Sequence, residues 1–256
     1  MHSFAAEGII LKRKNFSEAD KLVTIFTKNQ GKVICVAKGV RKITSRRAGS
    51  LELLNHVKVY LHQTKGLPIL TEAQIQNTFP DLKEDLNKIS IAFLVLELVD
   101  RLFDEGQENR IVFDLLFDTI DRIDSARSLS EAKKFQISFQ IKLLTQVGYL
   151  PQLYNCVQCE KKLEKKETFL APNYGGLVDY SCNQSILLSK VVAPEEVKVL
   201  RFLNNENFSL VQRLKLDDDL LNQTSELLNY YTVYFLERNL NSIAFADQLQ
   251  RLYLPS

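Results

Sequence analysis

The stretch Asn155-Cys156-Val157-Gln158-Cys159, answered by Gly175-Gly176-Leu177-Val178-Asp179-Tyr180-Ser181-Cys182, decides how the chain is read. Two residues between Cys156 and Cys159 let both thiolates reach one ion from a tight turn. Asp179-x-x-Cys182 offers a carboxylate and a third thiolate at the same spacing, which completes the four donors of a closed tetrahedral Zn2+ site. Three of the four cysteines fall in this interval. Between the half-sites lie Lys161 to Lys166, Phe169 and Pro172, too few apolar residues for a core, so a metal staple is expected to hold the segment. A redox pair at Cys156 and Cys159, or a site that has lost its metal, are the competing readings. Asp179 is a weaker zinc ligand than the thiolate usual in a zinc ribbon.

Outward from this knuckle the chain divides in two. From Phe4 to Phe79 short apolar runs alternate with turns. Glu7–Lys12, Leu22–Thr27 and Lys32–Ala37 read as a meander, with Lys28-Asn29-Gln30-Gly31 as a turn that can use a positive φ. His56–Leu61 and Ile69–Ala73 flank Thr64-Lys65-Gly66 as a hairpin. About five strands in 80 residues suit a small barrel of the oligonucleotide-binding (OB) kind; an SH3-like barrel fits the same string. Beyond Pro80 the period becomes 3.6. Leu86, Ile89, Phe93 and Leu96, with Leu102 or Phe103, form one expected helical stripe, and Ile111, Leu115, Thr119 and Ile123 another. Ser128-x-x-Glu131 reads as a capping box for a third helix that stops at Gly148. Helices resume near Pro194, and Asp217-Asp218-Asp219 places acids at the start of a long last helix. The fold class expected is therefore α+β and multi-domain. An OB-fold barrel over residues 1–80 is followed by a helical domain over 81–256, with a zinc-ribbon-like insertion at about 153–190.

Charge separates the same halves. Residues 1–80 carry 13 Lys/Arg against 5 Asp/Glu, a balance of +8, while the remainder carries 20 against 26. The excess gathers in Lys38-Gly39-Val40-Arg41-Lys42-Ile43-Thr44-Ser45-Arg46-Arg47-Ala48-Gly49, with five cations and no acid. Phosphate contacts are expected from Lys38, Arg41, Lys42, Arg46 and Arg47, assisted by Lys12, Arg13 and Lys14. Phe16 and Tyr60 are available for base stacking, although core packing is the expectation for both. Cys35 reads as a buried strand residue. No phosphate-binding loop G-x-x-x-x-G-K-[ST] and no H-x-E with P-C-x-x-C is present, so neither P-loop ATPase nor zinc deaminase chemistry is expected. A zinc with four protein donors has no open position for catalysis. No run of 18 apolar residues occurs, and Met1–Glu7 lacks signal-peptide character, so the expectation is a cytoplasmic protein with no membrane contact.

Together these features resemble the bacterial recombination and repair family RecO. The residues that carry the likeness are Glu7-Gly8-Ile9-Ile10-Leu11, Glu18-Ala19-Asp20-Lys21-Leu22-Val23, Phe26-Thr27 with Gly31-Lys32, and Val36-Ala37-Lys38-Gly39-Val40-Arg41-Lys42. Gly148-Tyr149-Leu150-Pro151, Cys156-x-x-Cys159 and Gly175-Gly176 follow later in the chain. Asp179 departs from the family, whose metal-bearing members usually have cysteine there. The resemblance implies a non-enzymatic mediator, associated with the nucleoid, that binds single- and double-stranded DNA and anneals complementary strands. With RecR it would help load RecA onto strands coated by single-stranded DNA-binding protein, whose C-terminal tail it would receive. A zinc-stabilised RNA-binding or translation accessory protein, or a metal-dependent nuclease, are the rival functions.

Overall fold

The computed structural model describes residues 2–42, 47–184, 186–236 and 240–253. In chain order the elements are β1 (Ser3–Asn15), β2 (Lys21–Thr27), β3 (Gly31–Ala37), β4 (His56–His62), β5 (Ile69–Asn77), α1 (Pro80–Glu84), α2 (Leu86–Leu102), α3 (Arg110–Asp124) and α4 (Leu129–Gln146). Then come β6 (Thr168–Ala171), a 3-10 turn at Pro172–Tyr174, β7 (Gly176–Val178), α5 (Tyr180–Asn183), β8 (Lys190–Val192), α6 (Pro194–Asn205), α7 (Phe208–Arg213), α8 (Asp218–Leu236) and α9 (Asn241–Tyr253). The chain forms two compact units, residues 1–125 with 242–256, and residues 126–241. No helix among the described residues is long and apolar enough to cross a membrane.

In the first unit the strands pair in the order β1-β2-β3-β5-β4, and β4 returns to β1, so the sheet closes on itself. Every junction is antiparallel except β3 with β5, which meet in parallel through Val36 and Ile69 alone. The amide of Val36 also donates to Pro68 O at 2.8 Å. This seam is the thinnest pairing of the circuit. The interior is filled by Ile10, Val23, Ile25, Cys35, Val57, Val59, Leu61 and Leu70. Burial raises the Cys35 thiol to about 12, as expected of a strand residue with no chemical task. Strand alternation is blurred because the outer face is covered as well: Ile9 and Phe26 are both fully buried, and the Phe26 ring meets Phe103 at 5.3 Å. Gly31 has φ 63°, and a Cβ there would lie 2.2 Å from Gln107 O, so the β2–β3 turn admits only glycine.

The helical stripes expected from sequence are corrected. In α3 the buried line is Val112, Phe113, Leu116, Thr119, Ile120 and Ile123, whereas Ile111 is 64% exposed. A step of four residues overshoots a full turn by about 40°, so three such steps drift off the core face, while alternating steps of four and three stay on it. In α2 burial surrounds most of the helix, and Leu86 at its first turn is exposed.

In the second unit α4 is the central element, with Phe135, Phe139, Ile141 and Leu143 buried among α6, α7 and α8. Its buried polar groups are satisfied: Gln140 donates to Thr232 Oγ1 at 2.9 Å and Asn229 Oδ1 at 3.1 Å, and Ser138 donates to Leu203 O at 2.9 Å. Ser128 Oγ accepts from the Glu131 amide at 3.2 Å, and the Glu131 carboxylate accepts from the Arg127 amide at 2.8 Å, a capping box displaced by one residue. Between α4 and α6 lies the sheet β7-β6-β8. Leu170, Leu177, Val178 and Val192 of these strands are buried, so the segment contributes apolar residues to a core that its composition alone did not suggest.

Candidate metal centre and nucleic-acid interface

The two halves of the cysteine cluster are aligned by backbone pairing. Gln152 donates from its amide to Gly175 O, Leu177 to Gln152 O and Val157 to Leu177 O, each at 2.9 Å, which lays residues 152–157 beside 175–177. A Cβ at Gly176 would lie 2.7 Å from the Gln152 amide nitrogen, so the close approach needs glycine. The first turn closes through Glu160 N to Cys156 O at 2.9 Å and Cys156 N to Lys161 O at 2.8 Å, with Glu160 at φ 61°. In the second turn Asp179 caps α5: Oδ1 accepts from the Cys182 amide at 2.8 Å and from Ser181 Oγ at 2.7 Å, leaving Oδ2 facing the Cys159 thiol at 3.1 Å.

The sulfurs of Cys156, Cys159 and Cys182 and a carboxylate oxygen of Asp179 all lie within 4.8 Å of one another. Donors on a tetrahedral zinc with sulfur bonds of about 2.3 Å stand roughly 3.8 Å apart. Separations here run from 3.1 Å for Cys159 with Asp179 up to 4.8 Å, so side-chain shifts of about 1 Å would seat such an ion, and it would leave no open coordination position. The Cys182 amide, the Ser181 hydroxyl and the Cys159 thiol hold Asp179 well below the usual carboxylate range. Burial, the adjacent carboxylate and the other thiols push Cys182 up to about 12. Burial opposes the Cys156 thiolate too, but amides of Cys159, Asp179 and Gln158 bring it below its ordinary value. A divalent ion bound at the centre would reverse that mutual opposition and favour all the thiolates.

At one end of the first unit, register gathers cations. Asn15 lies opposite Lys21, and Lys21 opposite Ala37, so Lys14, Lys21 and the segment from Lys38 onward share that end. Two loops are tied together there: Asp20 Oδ1 accepts from the Gly39 amide at 2.8 Å, and Ala19 O accepts from the Arg41 amide at 3.0 Å. Lys14, Lys38, Arg41 and Lys42 are exposed, and among the described residues none of them has a carboxylate within 4.0 Å. Lys12 faces Asp100 at 3.5 Å and Arg13 faces Glu52 at 3.4 Å. Arg46 lies outside the described residues.

Arg47 is spent on the barrel. Its guanidinium donates to Leu70 O at 2.9 Å, Thr71 O at 3.2 Å and Lys38 O at 2.8 Å, spanning the thin seam between the end of β3 and β5. Sequence reading missed Lys21, which its position on the far side of the Asn15–Asp20 turn could have revealed. Core packing is the sequence expectation for Phe16, whereas the residue is 56% exposed on that turn. Tyr60 is half-buried, with the Lys58 ammonium 5.7 Å from its ring centre.

The family model for the recombination protein O N-terminal region matches residues 1–79, and that for the recombination protein O C-terminal region matches residues 83–244. The DNA repair protein RecO of Roseiflexus sp. strain RS-1 is 32% identical over 253 residues, covering 99% of this chain and 88% of that protein. The RecO proteins of Dehalococcoides mccartyi strain CBDB1 and Moorella thermoacetica are 29% and 28% identical, over 97% and 96% of this chain and 97% and 91% of their own lengths. The chain belongs to the RecO family. In this RecO-family chain, the stretches Glu18–Val23 and Val36–Lys42 hold each other through Asp20 and Gly39. The pair Gly175-Gly176 supplies the glycine that the cysteine knuckle's backbone requires, and Gly148 ends α4 at φ 81°.

Proposed function

We propose that this RecO-family chain is a non-enzymatic recombination mediator of the nucleoid. Residues 1–80 act as an OB-type nucleic-acid-binding domain, and residues 81–256 as a helical domain whose knuckle holds a structural zinc through Cys156, Cys159, Asp179 and Cys182. The protein anneals complementary single strands and, with RecR, helps load RecA onto strands coated by single-stranded DNA-binding protein. The acidic tail of that protein docks on the helical domain. Single- and double-stranded DNA are held through phosphates by Lys14, Lys38, Arg41, Lys42 and Arg46, with Lys12 and Arg13 at the margin and Arg47 fixing the loop. The observation that supports this reading is the exposed cation cluster at one end of the strand circuit, without neutralising carboxylates at Lys14, Lys38, Arg41 or Lys42 among the described residues. The zinc assignment is supported by the convergence of three thiols and a carboxylate.

The deciding experiment is annealing of complementary oligonucleotides precoated with single-stranded DNA-binding protein. Acceleration by the purified chain is expected; no acceleration, with tight RNA binding, would favour a translation accessory role. Cleavage of labelled DNA on addition of magnesium or manganese would instead establish a nuclease. Phosphate contact predicts that log affinity falls linearly with log salt, and that Lys38→Ala with Lys42→Ala flattens the slope on single strands by about 1.4, two contacts at roughly 0.7 each.

A further inference from the structure

We propose that Phe16 is a stacking platform for an unpaired nucleobase, and that it gives the cationic end of the barrel a preference for single strands over duplex. This rests on the nucleic-acid reading above and assigns a specificity that cations cannot supply, since lysine and arginine meet phosphates in either form of DNA. A lone exposed apolar residue is ordinary on a protein surface and needs no explanation. Phe16 differs in its place and in its support. It follows Lys14 and Asn15, and the turn it begins ends at Lys21, so lysines flank it on both strands.

The turn is also fixed to the cationic segment. The Phe16 amide donates to Asp20 O at 3.1 Å, which closes the turn on itself. Asp20 Oδ1 accepts from the Gly39 amide at 2.8 Å, Ala19 O from the Arg41 amide at 3.0 Å, and Ser17 O from the Arg41 guanidinium at 2.7 Å. One backbone hydrogen bond, one carboxylate and one guanidinium thus hold the turn in register with Lys38, Arg41 and Lys42. Phe16, 56% exposed, is presented from a backbone that these bonds hold. Every base carries a π face, so stacking on an aromatic tolerates any sequence, but in a duplex those faces are taken by neighbouring pairs. An aromatic on a rigid mount among phosphate-binding cations is the chemistry of a single-strand site.

The test is fluorescence anisotropy with a labelled single-stranded oligonucleotide, its duplex, and an equally charged strand carrying consecutive abasic sites. Phe16→Ala is expected to weaken single-strand binding on the order of tenfold, to leave duplex affinity and salt slope unaltered, and to remove the parent's advantage for the strand with bases. Phe16→Trp restores it. The abasic comparison on the parent protein needs no variant: equal affinity for both strands overturns the platform. Parent-like single-strand binding by Phe16→Ala, beside weakened binding by Lys38→Ala with Lys42→Ala, also overturns it and keeps the phosphate interface. Selective single-strand loss in Phe16→Ala with an unaltered lysine variant keeps the platform and moves the phosphate track elsewhere.

Discussion

The barrel end gathers its cations through strand register, whereas the cysteine cluster gathers its thiols and carboxylate through two turns. In the first, strand pairing sets Lys14 and Lys21 beside the end of β3, so Lys14, Lys21 and Lys38 share one end whether or not any of them binds. In the second, two turns bring four candidate donor atoms within 4.8 Å of one another, and a metal held there would depend on all four. Distributed contacts degrade by increments; convergent ligands fail together.

The largest break in that contrast is expected from Cys159→Ser. Elemental analysis should show near-stoichiometric zinc in the parent and loss of it in the variant, with faster amide exchange through residues 152–192. Binding free energy is of order 10 kcal/mol in small zinc domains, but the buried Leu170, Leu177, Val178 and Val192 should keep the damage local. DNA affinity at the barrel should be retained. Asp179→Asn sharpens the point: asparagine still caps α5 but is a poorer ligand, so zinc content should fall less than in Cys159→Ser. Negligible zinc in the parent would make the cluster a relic and remove the contrast.

A smaller effect is expected at the seam, where the barrel behaves least like a distributed structure. Arg47→Ala removes three donations to carbonyls across β3 and β5 and should cost about 2 kcal/mol in denaturant unfolding of the first unit. Arg47→Lys should recover only part of this, since a single ammonium cannot reproduce the planar fork. A loss under 0.5 kcal/mol, the ordinary size for surface substitutions, would show that strand pairing alone closes the circuit. The smallest effect is a gain. Glu160 occupies a left-handed conformation at φ 61°, which costs a side chain about 1–2 kcal/mol, part of which glycine returns as lost chain entropy. Glu160→Gly should therefore raise the thermal midpoint of the second unit modestly without altering zinc content.

What sequence could disclose follows the same division. The clustering of Cys156, Cys159, Asp179 and Cys182 was legible because both halves are local, three residues from first to last, and only their meeting required the fold. The meander of β1 to β3 and the hairpin of β4 with β5 were legible from alternation and turn residues. The β3–β5 junction was not, because one parallel bridge and a guanidinium leave no periodic trace. Arg47 sits in a run of cations and looks like its neighbours; its difference lies in three carbonyls supplied by Lys38, Leu70 and Thr71. Phe16 was misread because apolar character in a turn carries no period to say which way it faces. Ile111 was misread because a fixed stride of four drifts around a helix.

The carboxylate of Asp179 has a consequence for how this protein can vary. One oxygen holds the start of α5 while the other faces the Cys159 sulfur, so a metal bound here would share this side chain with the helix cap. Exchange for cysteine would supply a softer donor but withdraw the cap that the Cys182 amide now uses, since sulfur is a weak acceptor. Exchange for serine would keep a cap and lose the donor. A change from carboxylate to a fourth thiol at this position would therefore alter the helix start together with the donor set.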